Sequence, residues 1–257
     1  MQKLVSSLFF ISLFFICSCD KDTTVSPPDT NTTVEVYAKN PLNPYDDVGA
    51  THNELLDEIL KEVFHDPSIT KDDLFKMAFD RVAAQNPTAN VSYDSIYLPN
   101  KTIFDGFGPT VDPTSYMTSI GMGGAAARYV TEMLDSLAPV NGTPRNSETG
   151  CIIIKRIEDR IMNSTTVPDP DKVIILCAAS VFRHSYLYWE KNLSIWKAKF
   201  KEAGTGGCET CGFWDIAEED GKGAIKGAVV GAVTGAGALL IGGAGGAGQS
   251  LAAAIFG

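Results

Sequence analysis

The 257-residue sequence predicts a mainly α protein: a single helical domain of about five helices with a long loop, followed by a C-terminal glycine-rich helical hairpin or membrane-associating segment. Three observations predict this. Apolar residues recur at steps of three and four through most of the chain. Residues that cap helix N-termini stand just ahead of those runs. Half of the 24 glycines fall after residue 220, and four of them, Gly223, Gly227, Gly231 and Gly235, are spaced to share one helical side.

In the first helix Val48, His52, Leu55, Ile59 and Val63 share a face; Asp46 or Asp47 caps it and Asp66-Pro67 ends it. A second helix starts near Thr70, where Thr70-Lys71-Asp72-Asp73 resembles a capping box with Asp in place of Glu. Leu74, Met77, Ala78, Phe79 and Val82 form its apolar side. Residues 86–112, with Asn, Pro, Gly and scattered aromatics, read as a long loop holding one short strand pair around Val91–Tyr93 and Ile96–Leu98. A third helix runs from Pro113 to Leu137, and its "GMGGAAA" lets a neighbouring backbone approach closely. A fourth runs from Ser147 to Met162 with Cys151, Ile154, Ile157 and Ile161 on one face. A fifth begins at Asp169 or Asp171. Its first half, "VIILCAASVF", is apolar all round and predicts the most buried element. Its second half narrows to a seam of Phe182, Tyr186, Trp189, Leu193, Trp196 and Phe200.

The N-terminus carries a different signal. Lys3 precedes an apolar run from Leu8 to Ile16, too short for an ordinary membrane span. The run ends in Ile16-Cys17-Ser18-Cys19, which resembles a bacterial lipobox. That resemblance implies cleavage before Cys19, acylation of its thiol and membrane lipid as a partner. Several acyl chains anchor stably, since each buried CH₂ contributes roughly 0.8 kcal/mol. Asp20-Lys21-Asp22 resembles the acidic signal that directs some lipoproteins to the outer cell surface. The chain then divides into a signal peptide (1–18), a Thr/Pro/Asn/Asp-rich tether (19–44), the helical domain (45–203), a cysteine-containing linker loop (204–220) and the glycine-rich tail (221–257). Asp22-Thr23-Thr24, Asp94-Ser95-Ile96 and Asp135-Ser136-Leu137 resemble a three-residue O-glycosylation signal of some envelope-rich bacteria.

A net charge of −10 and the lack of a Lys/Arg stripe argue against a nucleic-acid partner. No GxSxG nucleophile context, phosphate loop or dinucleotide fingerprint occurs, so no cofactor and no enzymatic role are expected. His52, His65 and His184 include no HExxH-like pair, which favours core or boundary roles over a metal site. His52-Asn53 lies within "NPYDDVGATHNELLDEI", a stretch that resembles uncharacterised exported bacterial proteins and implies no activity. It is expected to tie the preceding turn to the helix through hydrogen bonds. Besides Cys17 and Cys19 four cysteines remain. In an exported chain the Cys208-Glu209-Thr210-Cys211 spacing favours a local disulfide; Cys151 and Cys177 are either simply buried or bridge two helices.

Glycine inside a helix costs about 1 kcal/mol against alanine. The stripe of Gly223, Gly227, Gly231 and Gly235 therefore calls for a backbone packed against it, with Ile225, Val229 and Val233 as a ridge on another side. "GGAGGAG" (242–248) reads as a hinge. The tail resembles glycine-zipper segments of bacterial envelope lipoproteins and the glycine-rich helices of membrane-active bacteriocins. That resemblance implies membrane association or homo-oligomerisation through the tail; packing onto its own domain as a helical hairpin, or disorder, are the other readings. The function expected is that of an envelope lipoprotein with a structural or interaction role. Its alternatives are a membrane-active toxin and a surface hydrolase.

Overall fold

Helix α1 spans Asp47–Val63 and buries His52, Leu55, Leu56, Ile59, Leu60 and Val63. The computed structural model that shows this describes residues 36–64, 66, 68–89, 91–106, 111–141, 143, 145–204, 207–235 and 237–256. Asp46 stands at the N-cap of α1 but makes no capping bond, because its carboxylate is drawn to Arg183. Helix α2 (Lys71–Gln85) opens on a capping box: Thr70 accepts from the Asp73 N–H, and Asp73 accepts from the Thr70 N–H at 2.9 Å.

The expected strand pair does not form. Tyr93–Tyr97 is a single π-helical turn, Leu98–Asn100 a 3₁₀ turn, and Lys101–Asp105 a short helix, α3. The cause is aromatic packing. Helical spacing stacks Tyr93 on Tyr97, and Tyr97 and Phe104 close on Phe75 and Phe79 of α2; alternating strand geometry would send alternate residues to opposite faces. The expected third helix is broken in two, α4 (Pro113–Ser119) and α5 (Gly124–Leu137). Gly121 turns the chain at φ +105°, and Gly123 is extended so that its N–H reaches Asp171. Helix α6 (Ser147–Met162) is capped by Asn146. Helix α7 (Asp169–Ala203) is the longest element and ends where Gly204 takes a left-handed conformation. With these extra short helices the count exceeds the five expected. Among the described residues no strand forms; Val140 and Thr143 make one isolated antiparallel bridge.

The tail continues the helical fold. Helix α8 (Phe213–Thr234) starts upstream of Gly221, and α9 (Ala238–Phe256) returns antiparallel to it. The chain reverses at Gly235 and Gly237, both at positive φ, not at the expected hinge of residues 242–248, which lie inside α9. The α8–α9 pair forms the most extensive helix interface of the molecule, with α7 against α8, and α1 and α2 against α9. One apolar cluster runs from Leu55 to Ile255, so the hairpin and the preceding helices share a core.

Candidate functional site

The glycine stripe meets backbone. A Cβ added at Gly223 would lie 2.4 Å from Gly245 O, at Gly227 2.1 Å from Ile241 O, and at Gly231 2.6 Å from Gly237 O. Gly235 is the helix-ending residue, with nothing near its missing side chain. The ridge divides: Ile225 and Val229 are buried while Val233 projects to solvent at the hairpin tip. Val230, off the stripe, is also buried. What packs on the glycines is the chain's own last helix.

Cys208 and Cys211 are joined in a disulfide in the loop before α8, and the Cys208 N–H donates to Ala254 O, pinning that loop to α9. Cys151 and Cys177 are free and buried. Burial pushes both thiols up to about 12. Cys19, Thr23 and His65 lie outside the described residues. Ser95 is exposed and closes a capping box with Ser92; Ser136 lies within α5.

The stretch from Asn40 to Asn53 plugs into α6 and α7 by a buried polar network. Asn40 and Asn43 donate to the two Glu158 carboxylate oxygens at 2.6 and 2.7 Å, and Asn43 also reaches Leu176 O. Arg183 donates to Glu158 at 2.9 Å and to Asp46 at 2.6 Å. Burial alone would raise the Asp46 carboxyl. His184, 3.7 Å away, and the Arg183 guanidinium outweigh it and hold the pKa well below the usual carboxylate range. At 3.7 Å the His184 Nε2 contact with Asp46 is longer than a hydrogen bond and acts through charge, and Nε2 makes no hydrogen bond to the described residues. Ser180 Oγ donates to Asp46 O and accepts the Gly49 N–H; a Cβ at Gly49 would strike Ser180 O at 2.4 Å. Asn53 donates to His184 O.

A second buried centre gathers on Asp220 of α8. Its carboxylate faces His52 Nε2 at 2.9 Å and accepts from Trp189 Nε1 at 2.7 Å and from Ser185 Oγ. His52 Nδ1 faces Asn53 Oδ1. Serine, histidine and aspartate thus converge, but in the wrong order for nucleophilic catalysis. Acyl-transfer chemistry needs the histidine between serine and carboxylate; here the carboxylate stands between them, and His52, Ser185 and Asp220 are all sealed from solvent. Sequence reasoning placed His52 and Asn53 in a tying role but missed their partners, because Glu158, Arg183 and Asp220 carry no local signal. Among the described residues no group of three His, Cys, Asp or Glu is arranged to hold a metal ion.

Solvent reaches the molecule's interior at a groove of about 900 Å³ where α3, α5, α8 and α9 meet. Trp214, Leu134, Val111 and Phe256 supply its apolar walls. Asp105, Asp135, Asp215, Glu218 and Glu219 line it, with Lys71 and Lys222 as the lining cations among the described residues. Both are already engaged: Lys71 with Asp105 at 3.3 Å, Lys222 with Glu218 and Glu219 at 2.8 Å each. Deeper in, Gln249 donates to Glu219 and accepts from Lys226, whose ammonium also donates to Phe104 O at 2.7 Å. Comparison with protein-family models, with curated proteins and with solved structures finds no match to the chain.

Proposed function

We propose that the protein is a lipoprotein of the bacterial envelope, held by acyl chains on Cys19, whose helical domain has a structural or interaction role. The observation that carries this reading is the Ile16-Cys17-Ser18-Cys19 sequence at the end of a short apolar run, followed by a polar tether. The Cys208–Cys211 disulfide supports it, since such bonds persist in oxidising compartments. We read the role as non-enzymatic, a reading supported by the burial of His52, Ser185 and Asp220 and by the carboxylate standing between serine and histidine. Because α9 covers Gly223, Gly227 and Gly231, we assign any interaction to the outer surface of the domain and give the hairpin a building role.

Cys19→Ala tests the anchor. The variant is expected to lose N-terminal acylation by intact mass and to move from the membrane to the soluble fraction. Quantitative retention in the membrane overturns the lipid-anchor reading.

A second reading rests on one observation: α9 is long and apolar enough to cross a bilayer, with mean hydropathy 1.4. On that reading the hairpin leaves the core and perforates membranes. The 72% burial of that helix favours its role as a core element. Dye release from liposomes at nanomolar protein would reverse the preference.

A further inference from the structure

We propose that the groove between α3, α5, α8 and α9 binds a cationic peptide segment carrying an apolar or aromatic side chain. The proposal deepens the interaction role given above and rests on it for its biological setting, but not on the lipid at Cys19. Two properties of the groove define the occupant. First, its walls are apolar and built on helices: Trp214 and Leu134 are almost fully buried and edge the cavity, and Phe256 stands exposed at its lip. An inserted apolar side chain removes its own surface and that of the exposed Phe256 ring from water, worth roughly 25 cal/mol per Å². Second, five carboxylates line the groove: Asp105 is paired with Lys71 and Lys101, and Glu218 and Glu219 with Lys222, while Asp135 and Asp215 form no ion pair among the described residues and give the groove its excess negative charge. The resulting negative field favours a positively charged occupant and repels an acidic one.

The alternatives fit less well. A lone metal ion has no convergent set of three ligands here among the described residues. Residues 20–44 carry Asp20, Asp22, Asp29 and Glu35 against Lys21 and Lys39, a net negative charge that the groove repels. A second copy, with net charge −10, meets the same repulsion. A volume near 900 Å³ exceeds what one side chain fills and suits a short peptide presenting an apolar anchor flanked by Lys or Arg.

The test is calorimetric titration of the full chain carrying Cys19→Ala with an acetylated, amidated Lys-Leu-Lys-Phe-Lys peptide. Two control peptides replace every Lys by Glu or both apolar residues by Ser. Saturable binding is expected for the first peptide only, weakening about tenfold between 50 and 500 mM salt as the charges are screened. Asp135→Lys, a reversal at an exposed site on the rim, is expected to weaken binding at least fivefold with an unchanged thermal melt. No saturable binding of the Lys peptide overturns the proposal. Equal affinity for the Lys and Glu peptides overturns its electrostatic half, and equal affinity for the Ser peptide its apolar half. If Cys19→Ala stays in the membrane, the lipid-anchor reading fails, while titration in neutral detergent still decides the groove.

Discussion

His52 and Asp220 are 168 residues apart in the sequence and 2.9 Å apart in the fold, both sealed from solvent. Through this contact the first helix of the bundle is latched to the hairpin. Asp220 also receives Ser185 and Trp189, so one carboxylate joins α1, α7 and α8.

Asp220→Ala leaves three donors facing a cavity. Breaking a buried hydrogen-bonded charge typically costs about 3–5 kcal/mol. The variant is expected to show that loss in urea denaturation, read as a lower midpoint with little change in slope. A loss below about 1 kcal/mol would show that the latch contributes little.

The stripe predicts opposite signs for two identical substitutions. Gly227→Ala places a methyl 2.1 Å from Ile241 O, a backbone atom that cannot swing aside. Overpacking of this kind costs roughly 1–3 kcal/mol. At Gly243, within α9, a Cβ meets nothing within 4 Å, so Gly243→Ala is expected to stabilise by up to about 1 kcal/mol through helix propensity. Thermal melting of the two variants separates packing from composition; equal shifts contradict the packing.

Lys226 gives a pH signature. Burial depresses its pKa to about 8, and its ammonium donates to Phe104 O and the Gln249 amide oxygen, with no carboxylate hydrogen-bonded to it among the described residues. The depression makes the charged form a burden on the folded state, on the order of 3 kcal/mol at neutral pH. That burden is fully present below pH 8 and lifts as pH rises from there towards the unfolded value near 10.4. Lys226→Met is therefore expected to melt higher relative to wild type at pH 7 than at pH 10. Parallel melting differences across that range would remove Lys226 as their source.

Asp46 gives the reverse signature. Its lowered pKa stabilises the fold above the ordinary carboxylate range, and that contribution is lost as pH falls through 4 and below. Asp46→Asn is expected to be less stable than wild type at pH 7, with the gap narrowing at pH 3. A gap independent of pH would point to packing rather than charge.

Elements whose signals are local were legible in the sequence. The capping box at Thr70, the apolar face of Cys151, Ile154, Ile157 and Ile161, and the apolar run after Asp169 each mark their helices without reference to the rest of the fold. Misreadings arose where a distant partner decides. Tyr93 to Phe104 lack a helical signature until Phe75 and Phe79 are beneath them. Residues 242–248 read as a hinge because glycine disfavours helix, yet Gly245 approaches Gly223, Gly246 approaches His52, and Gly248 approaches Phe75. Those close contacts offset the propensity. The polar centres were half legible: the Asn-Pro-Tyr-Asp turn and His52-Asn53 stand out, whereas Glu158, Arg183 and Asp220 look like ordinary helix charges.

The position of α9 in the core has a consequence for how the protein is made. A ribosome delivers Leu55, Phe75, Phe79 and Phe182 long before Ile241, Ala244 and Leu251, the residues with which they form one apolar cluster. Helices α1 and α2 emerge early and α8 just ahead of α9, but the surfaces they turn towards α9 stay uncovered until residue 238 and beyond emerge. Chain interruption before that point leaves a product with exposed apolar faces, of the sort that chaperones hold and proteases clear. Helix α9, made after the helices it covers, thereby acts as a completion signal: only a chain that includes it can conceal their apolar faces.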